Sequence, residues 1–198
     1  MIDDHDTEQT VLIDLDDTAV GFSAGVHRIV CERLPPEQIV PLAEHRTPWF
    51  FLNYPPELRD MIRAIYYEPG FYLNLPPVEG AIDAMQAILE RYEDVRICTQ
   101  PWRNHLTCAT EKLMWIERHL GAAWLDRTII MVEKERIPAR VLLDDMHAFT
   151  PEMLRRPLIR RPRWTHVLAD APHNRHLVHP HRLIWSRWRE VLDPLMGF

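Results

Sequence analysis

The chain has 198 residues, 46% of them apolar and 26% charged, and a formal net charge of -6. That length buries one substantial core with room for a small appended subdomain, and the absence of any long apolar run excludes a membrane-spanning helix. The negative charge opposes general attraction to nucleic acid or to an anionic membrane surface, so an anionic substrate must be met by local positive charge.

The opening MIDDHDTEQT is acidic, the reverse of a basic signal peptide or an acid-poor transit peptide, so a cytoplasmic protein is expected. Next comes TVLIDL, a short apolar run with β-branched residues that predicts a strand buried on both faces. It runs directly into three carboxylates, Asp14, Asp16 and Asp17, and then Thr18. From residue 20 to about 76 the pattern turns helical. One helix is predicted from Phe22 to Leu34, stopped by Pro35 and Pro36, and another from Pro56 to Tyr67. Between and after them lie aromatic patches, Trp49, Phe50, Phe51, Tyr54, Phe71 and Tyr72, which read either as the small core of this insert or as rings that stack on a ligand.

From there strand and helix alternate. A helix over 78–92 precedes the strand VRICT at 95–99; a helix closed by Gly121 precedes TIIMV at 128–132; VLLDD at 141–145 and THVLA at 165–169 follow. The stretch from Arg182 to Met196 predicts one helix whose apolar face carries Leu183, Trp185, Trp188, Val191 and Leu192. The whole is an α/β chain with a Rossmann-like parallel sheet: a core of residues 1–19 and 77–198, and a helical cap subdomain of residues 20–76 inserted after the first strand.

Two further stretches are polar. HNRHLVHPH, with His173, His176, His179 and His181, matches no zinc spacing and predicts a surface connection. RRPLIRRPRW, residues 155–164, predicts a solvated loop or subunit contact rather than a nucleic-acid site, since the acidic chain has no further basic stripe. The three cysteines, Cys31, Cys98 and Cys108, have no disulfide or metal spacing and are expected as small buried apolar residues.

Ligands of open α/β sheets bind at the carboxyl ends of the strands. Asp14 to Thr18, then Thr99 and Gln100, then Asp144 and Asp145 each end a predicted strand, so they converge. Carboxylates held so close resist joint ionisation unless a cation sits among them, and an oxygen-only set suits Mg²⁺, bound by carboxylates together with a substrate phosphate.

DLDDT is the D-x-D-x-T signature of the haloacid dehalogenase superfamily, and ICT, Lys134 and LLDD stand in the order of its other motifs. GFYLNLPPVEGAIDAM, ICTQPWRN, EKLMWIERHLG, VLLDD and WTHVLADAPHNRH also resemble segments of 5′(3′)-deoxyribonucleotidases, from about residue 10 to the C-terminal helix. The resemblance implies a Mg²⁺-dependent phosphoric monoester hydrolase acting on a small nucleotide substrate, and a homodimer. It makes Asp14 the nucleophile and Asp16 the acid and base, with Thr99, Gln100 and Lys134 at the phosphate. Asp14, Asp16 through its carbonyl, Asp144 and Asp145 would hold the metal, and Trp49, Phe50, Phe51 and Phe71 would contact the base. Two rival readings are a phosphatase of the same mechanism acting on a sugar phosphate and a nucleotide-binding protein without turnover. Members of the family commonly have Gly-Val where this chain has Asp17-Thr18, Ser at Gln100 and a basic residue at Met146, departures that bear on substrate preference.

Overall fold

The computed structural model describes residues 9–102, 104–147 and 164–198. The arginines of the run at 155–164 therefore lie outside the described residues.

Among the described residues six parallel strands form one sheet: β1 (Thr10–Ile13), β2 (Asp94–Thr99), β3 (Thr128–Ile130), β4 (Val141–Asp144), β5 (Thr165–Ala169) and β6 (Arg182–Leu183). Their order is β3-β2-β1-β4-β5-β6, so β1 lies between β2 and β4 and the direction of winding reverses beside it. The register sets Ile13 beside Ile97 and Leu143, so the chain leaves all three strands at nearly the same level. All four residues of β1 are buried, as an apolar run in a central strand requires. Val11 and Ile13 join the larger core cluster, whereas Leu12 joins a second one on the opposite face with Cys98, Leu142 and Trp164.

Among the described residues the helices are α1 (Phe22–Arg33), α2 (Pro56–Ile65), α3 (Ala81–Arg91), α4 (Cys108–Leu120) and α5 (Trp188–Met196). None is long and apolar enough to cross a membrane. Between β1 and α3 the chain makes α1, α2 and short 3-10 turns, then returns beside its point of departure: Gly21 N–H donates to Pro76 O at 2.8 Å and Val78 N–H to Ala19 O at 2.8 Å. The side chains of this excursion are continuous with the main core, since Phe50, Tyr54, Ile62 and Tyr66 belong to the same buried cluster as Val11 and Ile97.

The C-terminal stretch corrects the sequence expectation. Arg182 and Leu183 pair with Leu168 and Ala169 as an edge strand, a 3-10 turn follows at Trp185–Arg187, and the helix begins only at Trp188. Two residues are too few to show a period of two, which is why the strand passes for the start of a helix. Cys31 also departs from expectation: it is exposed on α1, while Cys98 and Cys108 are buried.

Candidate active site

Asp14 follows β1 directly, and its N–H donates to Leu143 O at 2.9 Å, which pins it against β4. Lys134, from the 3-10 turn Lys134–Arg136, places Nζ 2.5 Å from Asp14 Oδ1 and 2.6 Å from Asp144 Oδ2. Burial pushes the Asp14 carboxyl up to about 6, and the charges of Asp144 and Asp16 add to this against the pull of Lys134. Burial likewise raises Asp145 well above the usual carboxylate range, with Asp144, Asp14 and Asp17 adding to it. Burial works against the charge on Lys134, yet Asp14 and Asp144 hold its ammonium above the ordinary lysine value.

Carboxylate oxygens of Asp14, Asp144 and Asp145 lie within 4.8 Å of one another, so this cluster could hold a metal ion. The donors are hard oxygens whose crowding disfavours joint ionisation, and a cation among them relieves that, so the residues fit such a group. The two aspartates of β4's end differ. Asp144 has both oxygens engaged, Oδ2 by Lys134 and Oδ1 by the Met146 N–H at 2.9 Å. Asp145 is held through its carbonyl, which accepts from Asn174 Nδ2 at 2.9 Å, and among the described residues His173, with Nε2 3.3 Å from Oδ2, stands against its carboxylate.

His173 is a correction to the sequence expectation. It is buried rather than on a surface connection, and Asp17, Asp145 and His173 form a second group with ligand atoms within 4.8 Å. The turn Pro172–Asn174 carries it under the site, a placement that histidine spacing does not reveal.

Asp17 adopts φ 51°, a left-handed conformation that aspartate tolerates better than most residues. Its carboxylate accepts the Ser23 N–H at 2.7 Å and the Ser23 hydroxyl, which satisfies the first turn of α1. Burial raises Asp17 to about 7 against the pull of those bonds.

Asp16, Thr99 and Gln100 meet at a residue that sequence reasoning missed. Lys112 of α4 donates from Nζ to Asp16 Oδ2 at 2.7 Å, Thr99 Oγ1 at 3.0 Å and Gln100 O at 2.7 Å. Its neighbour Glu111 accepts the backbone N–H groups of Gly70 and Tyr72, each at 3.0 Å. In sequence the pair Glu111-Lys112 looks like a solvated helix face; both residues are buried.

Above these groups opens a cavity of about 400 Å³. Asp14, Asp16, Asp145 and Lys134 form its floor, and Gln100, Asn104 and Met146 its rim. Its walls are rings: Phe22, Trp49, Tyr66, Tyr67, Tyr72 and Trp102. Of the four aromatics expected at the base, only Trp49 lines it. Phe50 is fully buried against His45 and Tyr54, Phe51 packs on Tyr66 and Arg63, and Phe71 lies behind the wall on Phe22 and Tyr66. Trp102, from the loop after β2, packs against Trp49 at a centroid distance of 5.7 Å, edge to face, and its Nε1 donates to the Tyr67 hydroxyl at 2.7 Å.

A parallel sheet wound about β1, with carboxylates, a lysine and a threonine gathered at the ends of β1, β2 and β4, defines a haloacid dehalogenase-type hydrolase. The crystal structure of a HAD family hydrolase from Deinococcus radiodurans, with bound phosphate and sodium, shares the fold at a TM-score of 0.52 and 14% identity, over 94% of this chain and 96% of that one. More narrowly, the chain belongs to the family described as 5′ nucleotidase, deoxy (pyrimidine), cytosolic type C protein, whose model matches residues 8–196. A human protein described as 5′(3′)-deoxyribonucleotidase, cytosolic type, is 36% identical over 196 residues, covering 94% of each chain. A Bordetella pertussis protein is 37% identical over 182 residues, covering 92% of this chain and 94% of that one. The expected class, a phosphoric monoester hydrolase of the nucleotidase type, is the class of this family.

Proposed function

We propose that the protein hydrolyses deoxyribonucleoside monophosphates to nucleoside and phosphate, with Mg²⁺ as cofactor and an aspartyl-phosphate on Asp14 as intermediate. One observation carries the reading: a floor of paired carboxylate and ammonium groups under a cavity walled by aromatic rings, which suits a phosphate at one end of a ligand and a base at the other.

In the first half-reaction a carboxylate oxygen of Asp14 attacks phosphorus, the bond to the nucleoside oxygen breaks, and Asp16 gives that oxygen its proton. In the second, Asp16 takes a proton from water, whose oxygen attacks phosphorus and releases Asp14 and inorganic phosphate. Lys134 and the Thr99 hydroxyl, with Gln100 beside them, hold the phosphoryl oxygens and oppose the charge that develops there. Mg²⁺, held by Asp14, the Asp16 carbonyl and Asp145 with Asp144 beside it, would supply further charge stabilisation at the phosphoryl group. Trp49 and Trp102, in contact with each other, together offer the base one aromatic surface. Residues 20–76 act as the cap, with Tyr66, Tyr67 and Tyr72 closing the wall. An apolar surround leaves a ribose 2′-hydroxyl without a partner, at a cost of about 1 to 3 kcal/mol. Cytoplasmic location and the lack of a nucleic-acid partner belong to the same reading, supported by the cytosolic type of the human relative and by the acidic chain; a homodimer is carried over from the family resemblance alone.

A panel of phosphoesters assayed by phosphate release with and without Mg²⁺ tests this. The expected order of kcat/KM is dUMP above UMP and both above sugar phosphates. A panel led by a sugar phosphate would replace the nucleotidase assignment with the sugar phosphatase reading, and binding of dUMP without turnover would leave only a nucleotide-binding protein.

A further inference from the structure

Lys112 has no part in the reaction as written, yet it touches two of its groups. Its side chain is 3% exposed, and it does not line the cavity. An ammonium has three protons and no acceptor, and the three acceptors around Nζ, at 2.7, 3.0 and 2.7 Å, use all of them. The ammonium also lies over the Tyr72 ring, 5.6 Å from its centroid. No proton is left over for a substrate, so Lys112 acts through its partners.

The consequence for each partner is definite. Asp16 has Oδ2 tied down, which leaves Oδ1 as the oxygen that moves the proton. Thr99 accepts from Lys112 at Oγ1, which leaves the hydroxyl's own proton for another acceptor. The Gln100 carbonyl, the third partner, fixes the turn of the chain at the end of β2. Glu111 does not compete for the ammonium, because its carboxylate faces the backbone N–H groups of Gly70 and Tyr72.

We propose that Lys112 is the positioning residue of this site: one buried ammonium that orients the acid and base Asp16. The proposal rests on the phosphoryl-transfer reading of Asp14 and Asp16. It separates Lys112 from Lys134, whose ammonium lines the cavity and can meet the substrate itself.

The test is a double-mutant cycle on kcat/KM, which reads the steps up to formation of the aspartyl-phosphate. Wild type, Lys112→Met, Asp16→Asn and the double variant are assayed with dUMP and with p-nitrophenyl phosphate, whose leaving group needs little help from an acid. The expected loss for Lys112→Met is about 100-fold on dUMP and about tenfold or less on p-nitrophenyl phosphate, with the double variant on dUMP no slower than Asp16→Asn alone. Lys112→Gln, whose amide still donates, is expected to recover part of the dUMP rate. It also carries the comparison if the methionine variant does not give the wild-type near-UV circular dichroism. Wild-type rates in the variants, equal losses on both substrates, or losses that multiply in the double variant would each overturn the positioning role while turnover by the wild type leaves the phosphatase reading standing. A wild type that releases no phosphate from either substrate would remove that reading, and the role of Lys112 with it.

Discussion

The floor and the wall of the cavity are built by different physics. The floor sits at the ends of β1, β2 and β4, where strand register decides which residues meet, and its charged groups have close partners, some of them outside the cavity: Lys134 between Asp14 and Asp144, Asp16 against Lys112. The wall is assembled from the excursion after β1 and the loop after β2, and its rings are held edge to face. Tyr66 meets Trp102 at a centroid distance of 5.2 Å and Trp49 meets it at 5.7 Å. Changes in the floor should therefore alter rate, changes in the wall selectivity, and changes behind the wall only stability.

The largest effect is expected from Asp14→Asn, which removes the nucleophile and should lower phosphate release by at least about a thousandfold. The same variant bears on stability. Asp14 is raised from 3.8 to about 6 in the fold, so without metal the folded state binds its proton more tightly than the unfolded chain does. Its contribution is present below the unfolded value and is lost as pH rises through about 6. Asp14→Asn should flatten that part of the curve of melting temperature against pH in the metal-free protein, and a variant with the wild-type slope would show that Asp14 does not set it.

A smaller effect separates the two aspartates at the end of β4. Because Lys134 and the Met146 N–H occupy both oxygens of Asp144, Asp145 is the freer ligand. Asp145→Asn should raise the Mg²⁺ concentration for half activity by about tenfold or more, and Asp144→Asn by less. Metal titrations of both variants check this, and the opposite order would exchange their roles.

The smallest effect draws the line between wall and support. Trp49→Ala should lower kcat/KM for dUMP by about tenfold relative to p-nitrophenyl phosphate, the worth of one ring contact of about 1.4 kcal/mol. Phe50→Ala, behind the wall, should instead cost about 3 to 5 kcal/mol of stability with that ratio unchanged. A ratio that moves with Phe50 and not with Trp49 would reverse the assignment of the two rings.

The floor was legible in the sequence because a carboxylate or threonine that ends an apolar strand has only one place to go in a parallel sheet. The wall was not. Ring identity does not tell which way a ring faces, and in the 3-10 turn Phe50–Asn53 successive residues rotate by about 120°, so Trp49 opens to the cavity, Phe50 to the core and Phe51 to Tyr66. Lys112 stayed hidden for a related reason. A Glu-Lys pair on a helix reads as a solvated face, and only the packing of α4 against β2 and the excursion's return shows that each charge has a buried partner.

The central claim is a covalent intermediate on Asp14. Rapid quenching of the wild type during turnover of ³²P-labelled dUMP, followed by borohydride reduction and peptide mapping, reads it directly. The account predicts acid-stable label during turnover and conversion of residue 14 to homoserine, with neither in Asp14→Asn. Full turnover with no trapped label, or reduction at another aspartate, would contradict it.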